Sequence, residues 1–169
     1  QGEKIDIIRW SENIDEFVYN IISKTKFIIP SLIGEVFSEE ERELGRKYEA
    51  IIRLVGSGTW NTKEIASILY SRGIIPNSSV TNILQYIKNL EEMGIIEAVR
   101  ILNSKSNFYR LSSPIMNIYY YLDSRYNISH RDISFEEVKP TLNKLINMEI
   151  QNFIADFFAE MENGRKEYY

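Results

Sequence analysis

Very few side chains in this chain could do chemistry. His130 is the single histidine and Cys is absent, which removes thiolate catalysis, disulfides and Cys-built zinc sites. A histidine triad or a paired-histidine metal site could draw only on that one residue, set between Ser129 and Arg131 in an expected loop. The eight glycines never fall into G-x-x-x-x-G-K-S/T or G-x-G-x-x-G, so no phosphate cradle for a nucleotide is present, and Gly56-Ser57-Gly58-Thr59 reads as a turn. Neighbouring carboxylates occur at Glu39 to Glu41 and at Glu136-Glu137. Their adjacency is what the first turn of a helix favours, more than acid-base or metal chemistry. The expectation is a chain that is not an enzyme and that holds no cofactor and no metal.

Recognition chemistry is what remains. Ser78, Ser79, Thr81, Asn82, Gln85, Lys88 and Asn89 lie off the apolar stripe of one helix, and Asn or Gln side chains can pair an adenine edge in a major groove. Lys63 falls near the N-terminus of the preceding helix, where backbone N–H groups already favour an anion. Arg100, Lys105 and Arg110 lie in or beside a hairpin, where cations can meet phosphates or a narrow minor groove. A solvated helix face and an exposed hairpin would carry the same residues, and Glu91 and Glu92 work against phosphate contact. Trp60 and Tyr119 to Tyr121 could stack on bases, but packing is the stronger reading.

The elements that position these residues follow from apolar periodicity. Ile14, Phe17, Val18, Ile21 and Ile22 define a helix over about 12 to 24. Phe27 to Phe37, broken by Pro30 and Gly34, reads as a packed connector rather than a regular element. Ser38 with Glu41 is a capping-box pattern opening a helix through Leu44, Tyr48, Ile51, Ile52 and Val55 to Gly56. Asn61 with Glu64 starts a short helix that Gly73 stops. Pro76-Asn77 announces a third helix with a buried stripe of Val80, Ile83, Leu84, Ile87 and Leu90, ended by Gly94. Ile95 to Leu102 and Asn107 to Ser112 form a hairpin around Asn103-Ser104-Lys105-Ser106. A helix follows Pro114, and a last one runs from about Pro140 to Asn163. On that helix Leu142, Ile146, Ile150, Phe153, Phe157 and Met161 stand on one side, broadened by Leu145, Ile154 and Phe158. It is expected to fold back as core, with pairing to a second copy or cover of a neighbour as the alternatives.

The expected fold is therefore mainly α with a small β-hairpin. Helix, short helix, helix, hairpin is the order of a winged helix-turn-helix, placed at 45–112 between an N-terminal helical extension at 1–44 and a C-terminal helical region at 113–169. Charge follows the same division. Residues 46 to 110 hold nine Lys and Arg against five Asp and Glu, whereas the flanks hold eleven against nineteen, giving the net charge of -4. An acidic protein can meet nucleic acid only if its cations gather on one face.

Five blocks carry a resemblance: Tyr48-Glu49-Ala50-Ile51-Ile52-Arg53-Leu54-Val55-Gly56, Thr62-Lys63-Glu64-Ile65-Ala66, Val80 to Leu90, Gly94-Ile95-Ile96-Glu97, and Tyr109-Arg110-Leu111. In this order they resemble the winged-helix region that archaeal predicted ATPases of the AAA and STAND P-loop type carry behind the nucleotide-binding core. Ser113-Pro114 and Ile118-Tyr119-Tyr120-Tyr121 stand where the family has Asp-Pro and an aromatic helix. Many relatives then open a nuclease-like domain with a Gly and a Phe-Glu pair, which Ile154-Ala155-Asp156-Phe157-Phe158 does not match. The similarity covers about residues 38 to 125.

The resemblance implies a DNA-binding accessory region of an ATPase with no ATPase residue of its own. Gln1-Gly2 without a Met reads as an excised piece of a longer chain. Double-stranded DNA, an ATPase core or other protein, and a second copy through the C-terminal helix are the partners considered. The competing expectation is a regulatory, protein-interaction or dimerisation module that never meets DNA. No apolar run approaches the roughly 18 to 20 residues of a membrane span, and no signal peptide is evident, so a cytoplasmic location is expected.

Overall fold

The computed structural model describes residues 13–37, 42–101, 107–161 and 167–168. Helix α1 (Ile14–Thr25) buries Ile22, and α2 (Ile28–Val36) follows after two residues, burying Ile29 and Ile33. The sequence suggested a connector at α2. Pro30, however, falls at its third residue, where the missing N–H has no intrahelical acceptor to lose, so the proline starts the helix rather than breaking it. The capping-box residues Ser38 and Glu41, and Glu39 and Glu40 between them, lie outside the described residues.

Helix α3 (Arg42–Gly56) is the central rod, with Ile51 and Ile52 fully buried and Tyr48 stacked on Phe37 at 4.6 Å between ring centroids. Helix α4 (Thr62–Ser71) is capped by Asn61, whose side chain accepts the Glu64 N–H at 2.9 Å. Gly73 closes it at φ +67°, a left-handed conformation that glycine adopts without a Cβ penalty. Helix α5 (Thr81–Glu92) starts later than Pro76-Asn77 suggested. The reason is local: Asn77 Oδ1 accepts the Ser79 N–H at 3.0 Å and Ser79 Oγ accepts the Thr81 N–H at 3.4 Å, so side chains take the place of the first helical turn. Ile83, Ile87 and Leu90 form its buried stripe, whereas Leu84, expected in that stripe, is 49% exposed.

Strands β1 (Ile96–Ile101) and β2 (Asn107–Leu111) pair antiparallel, with Ile96 opposite Leu111 and Arg100 opposite Asn107. The Tyr109 N–H donates to Trp60 O at 3.0 Å, which ties the segment before α4 to β2. A two-residue strand, β3 (Glu167–Tyr168), runs parallel to β1 on its other edge, giving the order β2-β1-β3. Helix α6 (Pro114–Tyr126) opens on its proline and buries Ile118, Tyr119, Tyr120 and Leu122. The described residues are thus mainly helical with a small β-hairpin.

Helix α7 (Phe135–Met161) begins five residues before Pro140, which sits inside it. Val138, Leu142, Leu145 and Ile146 are buried against the body of the protein. Beyond Ile146 the expectation of a core helix fails. Ile150, Phe153, Ile154, Phe157, Phe158 and Met161 are exposed, Phe153 by 70%.

Candidate nucleic-acid interface

The outward face of α5 is the surface on which the candidate residues converge. Thr81, Gln85, Lys88 and Glu92 recur at helical spacing and are exposed, with Leu84 beside them. Asn82 and Asn89 are half-buried along one margin, and Ser78 and Ser79 are exposed in the turn that leads into the helix. Several of these polar groups are already engaged. Asn82 Nδ2 donates to Asn77 Oδ1 at 2.8 Å, Gln85 Nε2 to Asn89 Oδ1 at 2.6 Å, and Asn89 Nδ2 to the Tyr48 hydroxyl at 2.6 Å. Lys88 faces Glu92 one turn on at 3.5 Å. The Asn82, Gln85 and Lys88 contacts are exposed, worth little, and exchange readily for a ligand, whereas the Asn89 bond satisfies the hydroxyl of buried Tyr48.

The cations are arranged less simply. Lys63 is exposed at the second residue of α4, and among the described residues no acid pairs with it. Arg110 is committed elsewhere. Its guanidinium meets Glu97, its cross-strand neighbour, and Asp156 of α7 at 3.1 Å, and the side chain is 13% exposed. That geometry ties the hairpin to α7 and does not offer the charge to a phosphate. Lys105 and the Arg100 side chain lie outside the described residues. Arg53 of α3 is likewise paired, with Glu49 and Asp123.

Sequence reasoning passed over two cations. Arg72, the exposed C-cap of α4, stands at the start of the turn into α5, and Lys47 reaches over the Tyr86 ring of α5 at 5.6 Å. The signal for Arg72 was its place next to the turn glycine, Gly73. At the far end of α5, partial burial lifts the Glu91 carboxyl above its ordinary range, and burial and then Glu91 raise the Tyr109 phenol. That end of the helix is acidic and apolar, so a polyanion would favour its N-terminal half.

The remaining candidates are placed as follows. Tyr119 and Tyr120 are core residues, and burial pushes both phenols up to about 12. They pack and do not stack on a ligand. Trp60 is half-exposed, with its ring 5.9 Å from Phe108. His130 lies in the exposed turn after α6, its Nδ1 2.8 Å from the hydroxyl of its neighbour Ser129. Glu136 and Glu137 occupy the first turn of α7, where Glu137 meets Arg131 at 2.7 Å.

A pocket of about 190 Å³ lies between α1, α6 and the loop before α7, lined by Tyr19, Lys26, Leu122, Asp132 and Val138. It is below the roughly 300 Å³ at which small-molecule sites begin, and Lys26 and Asp132 close on each other there at 2.5 Å. Among the described residues no group of three or more His, Cys, Asp or Glu side chains could hold a metal ion, and no helix is long and apolar enough to cross a membrane. No family model matches the chain, and neither the curated proteins nor the solved structures contain a match to it.

Proposed function

We propose that the chain is a non-catalytic, cytoplasmic DNA-binding module of the winged helix-turn-helix kind, an accessory region of the archaeal-ATPase type that its sequence resembles. The observation that carries this reading is the open outer face of α5. The helix is held from behind by α3, α4 and β1, while Thr81, Gln85 and Lys88 stand uncovered by any described residue. The Tyr109–Trp60 backbone bond supports it further, because it fixes the hairpin beside the α4–α5 pair. In this reading α5 enters the major groove. Gln85 and Asn82 exchange their internal bonds for base edges, and Lys63 and Arg72 grip the flanking phosphates. Affinity is mostly electrostatic and specificity modest.

The test is a titration of labelled duplex at about 50 and 200 mM salt. Binding is expected to fall steeply between the two. Lys63→Ala should weaken binding evenly across sequences and lower the salt slope by about 1, whereas Gln85→Ala should flatten preference at one base position. Absence of duplex binding at the lower salt would refute the reading and leave a protein-contact module, which the bare half of α7 favours.

A further inference from the structure

The second half of α7 inverts the usual arrangement of a surface helix. At about 100° per residue, Val138, Leu142 and Leu145 mark the direction of the protein body, and that line continues with Glu149, Asn152 and Asp156. These three polar residues are half-buried, and Asp156 reaches Arg110 on β2. The apolar stripe has meanwhile turned about 100° round the helix. Ile150, Phe153 and Phe157, spaced three and then four residues apart, form an outward seam flanked by Ile154, Phe158 and Met161. The helix is therefore held to the protein by its polar side and presents its apolar side outward.

From this we infer that the face is a homodimer interface, covered by the same face of a second copy of the chain. Area is the first argument. Phe153, Phe157 and Phe158 are 70, 51 and 57% exposed, which at about 200 Å² per ring amounts to roughly 350 Å². Ile150, Ile154 and Met161, at 42, 47 and 66% exposure and about 200 Å² each, bring the patch to about 650 Å². A monomer's largest apolar patch is about 300 to 600 Å², whereas a standard interface takes about 800 Å² from each partner.

Charge is the second argument. Between 147 and 161 the charged residues are Glu149 and Asp156, both on the inward line, and Glu160, exposed near the end of the helix. A charged partner would find only Glu160, at the end of the face, to pair with. Two copies that each carry a net charge of -4 would meet along a seam whose own side chains, Ile150, Phe153 and Phe157, are uncharged. The three-four spacing of the seam is the one at which two identical helices interlock.

The pairing does not depend on what α5 contacts, so it is tested without nucleic acid. Sedimentation of the parent chain at tens of micromolar is expected to give twice the 19.9 kDa chain mass. Phe153→Asp and Phe157→Asp should each sediment at 19.9 kDa with unchanged circular dichroism, their dimer dissociation constants raised at least about 30-fold. Because the chain has no Cys, Ile154→Cys supplies a single thiol that should cross-link two copies under mild oxidation and cease to do so once Phe157→Asp is added. A parent that stays at the mass of one chain, a dimer that survives both charge substitutions, or variants that unfold would overturn the inference. The last outcome would place the face in the core.

Discussion

Gly56 and Gly45 lie in the same helix, and the structure assigns opposite consequences to the same substitution at the two positions. A Cβ on Gly56 would stand 2.6 Å from the Tyr120 Cβ and 2.9 Å from Leu111 Cδ1. The first neighbour is fixed to the α6 backbone and cannot swing away, so α3 and α6 must separate by about 1 Å to restore an ordinary carbon contact. Overpacking of this kind costs about 1 to 3 kcal/mol, against a gain of about 1 kcal/mol for replacing glycine inside a helix. Gly56→Ala should therefore lose up to about 2 kcal/mol, or up to about 8 °C in Tm.

At Gly45 the nearest atoms to a new Cβ are Phe37 O at 3.5 Å and Phe37 Cβ at 3.7 Å, which is ordinary contact. Gly45→Ala should gain up to about 1 kcal/mol. Urea denaturation of the parent and both variants, with midpoints compared at constant m, reads the difference directly. Equal midpoints for the two variants would refute the close α3–α6 approach.

Two further substitutions probe polar groups. Tyr120 is buried with no hydrogen-bond partner for its hydroxyl among the described residues, and burial, ahead of the opposing effect of Arg53, pushes its phenol from 10.0 up to about 12. Since the folded pKa is the higher, the stabilisation is intact below pH 10 and is lost as pH rises through 12, by at most about 2 to 3 kcal/mol. Tyr120→Phe should reduce the alkaline loss, leaving the share of Tyr119, and leave neutral stability unchanged or up to about 1 kcal/mol higher, as thermal melts from pH 7 to 12 would show. Asn61→Ala, which removes the α4 cap, should cost about 1 kcal/mol. Amide exchange should then quicken first at Thr62 to Glu64, and uniform quickening across the chain would contradict a local cap.

Most of the fold was legible because apolar residues recur at helical spacing and turn residues punctuate them. Asn61, Gly73 and Gly94 each mark a boundary by a backbone requirement that can be read one residue at a time. The errors had equally local causes. Pro30 signals a break in the interior of a helix but a start in its first turn, and only the position of α2 distinguishes the two. Asn77 and Ser79 resemble cap residues, yet their side chains close turns ahead of the helix. Leu84 fits the apolar period of α5 but sits at its margin.

The candidate site was less legible. Arg110 and Asp156 are 46 residues apart, and no spacing rule announces that they meet. On α7 the polar line through Glu149, Asn152 and Asp156 is visible in the sequence, but that this line faces inward shows only in the meeting of Asp156 with Arg110 of β2. β3 pairs two residues across a long stretch of chain and leaves no periodic trace.

The double engagement of Arg110 has a mechanical meaning. A guanidinium is a rigid planar fork, and here one tine grips a carboxylate of the hairpin while another grips a carboxylate of α7. The ribbon and the long rod are consequently coupled through this side chain, so that a displacement of either strains a bond to the other. Lysine in its place would keep the charge but lose the fork, turning a stiff joint into a loose one.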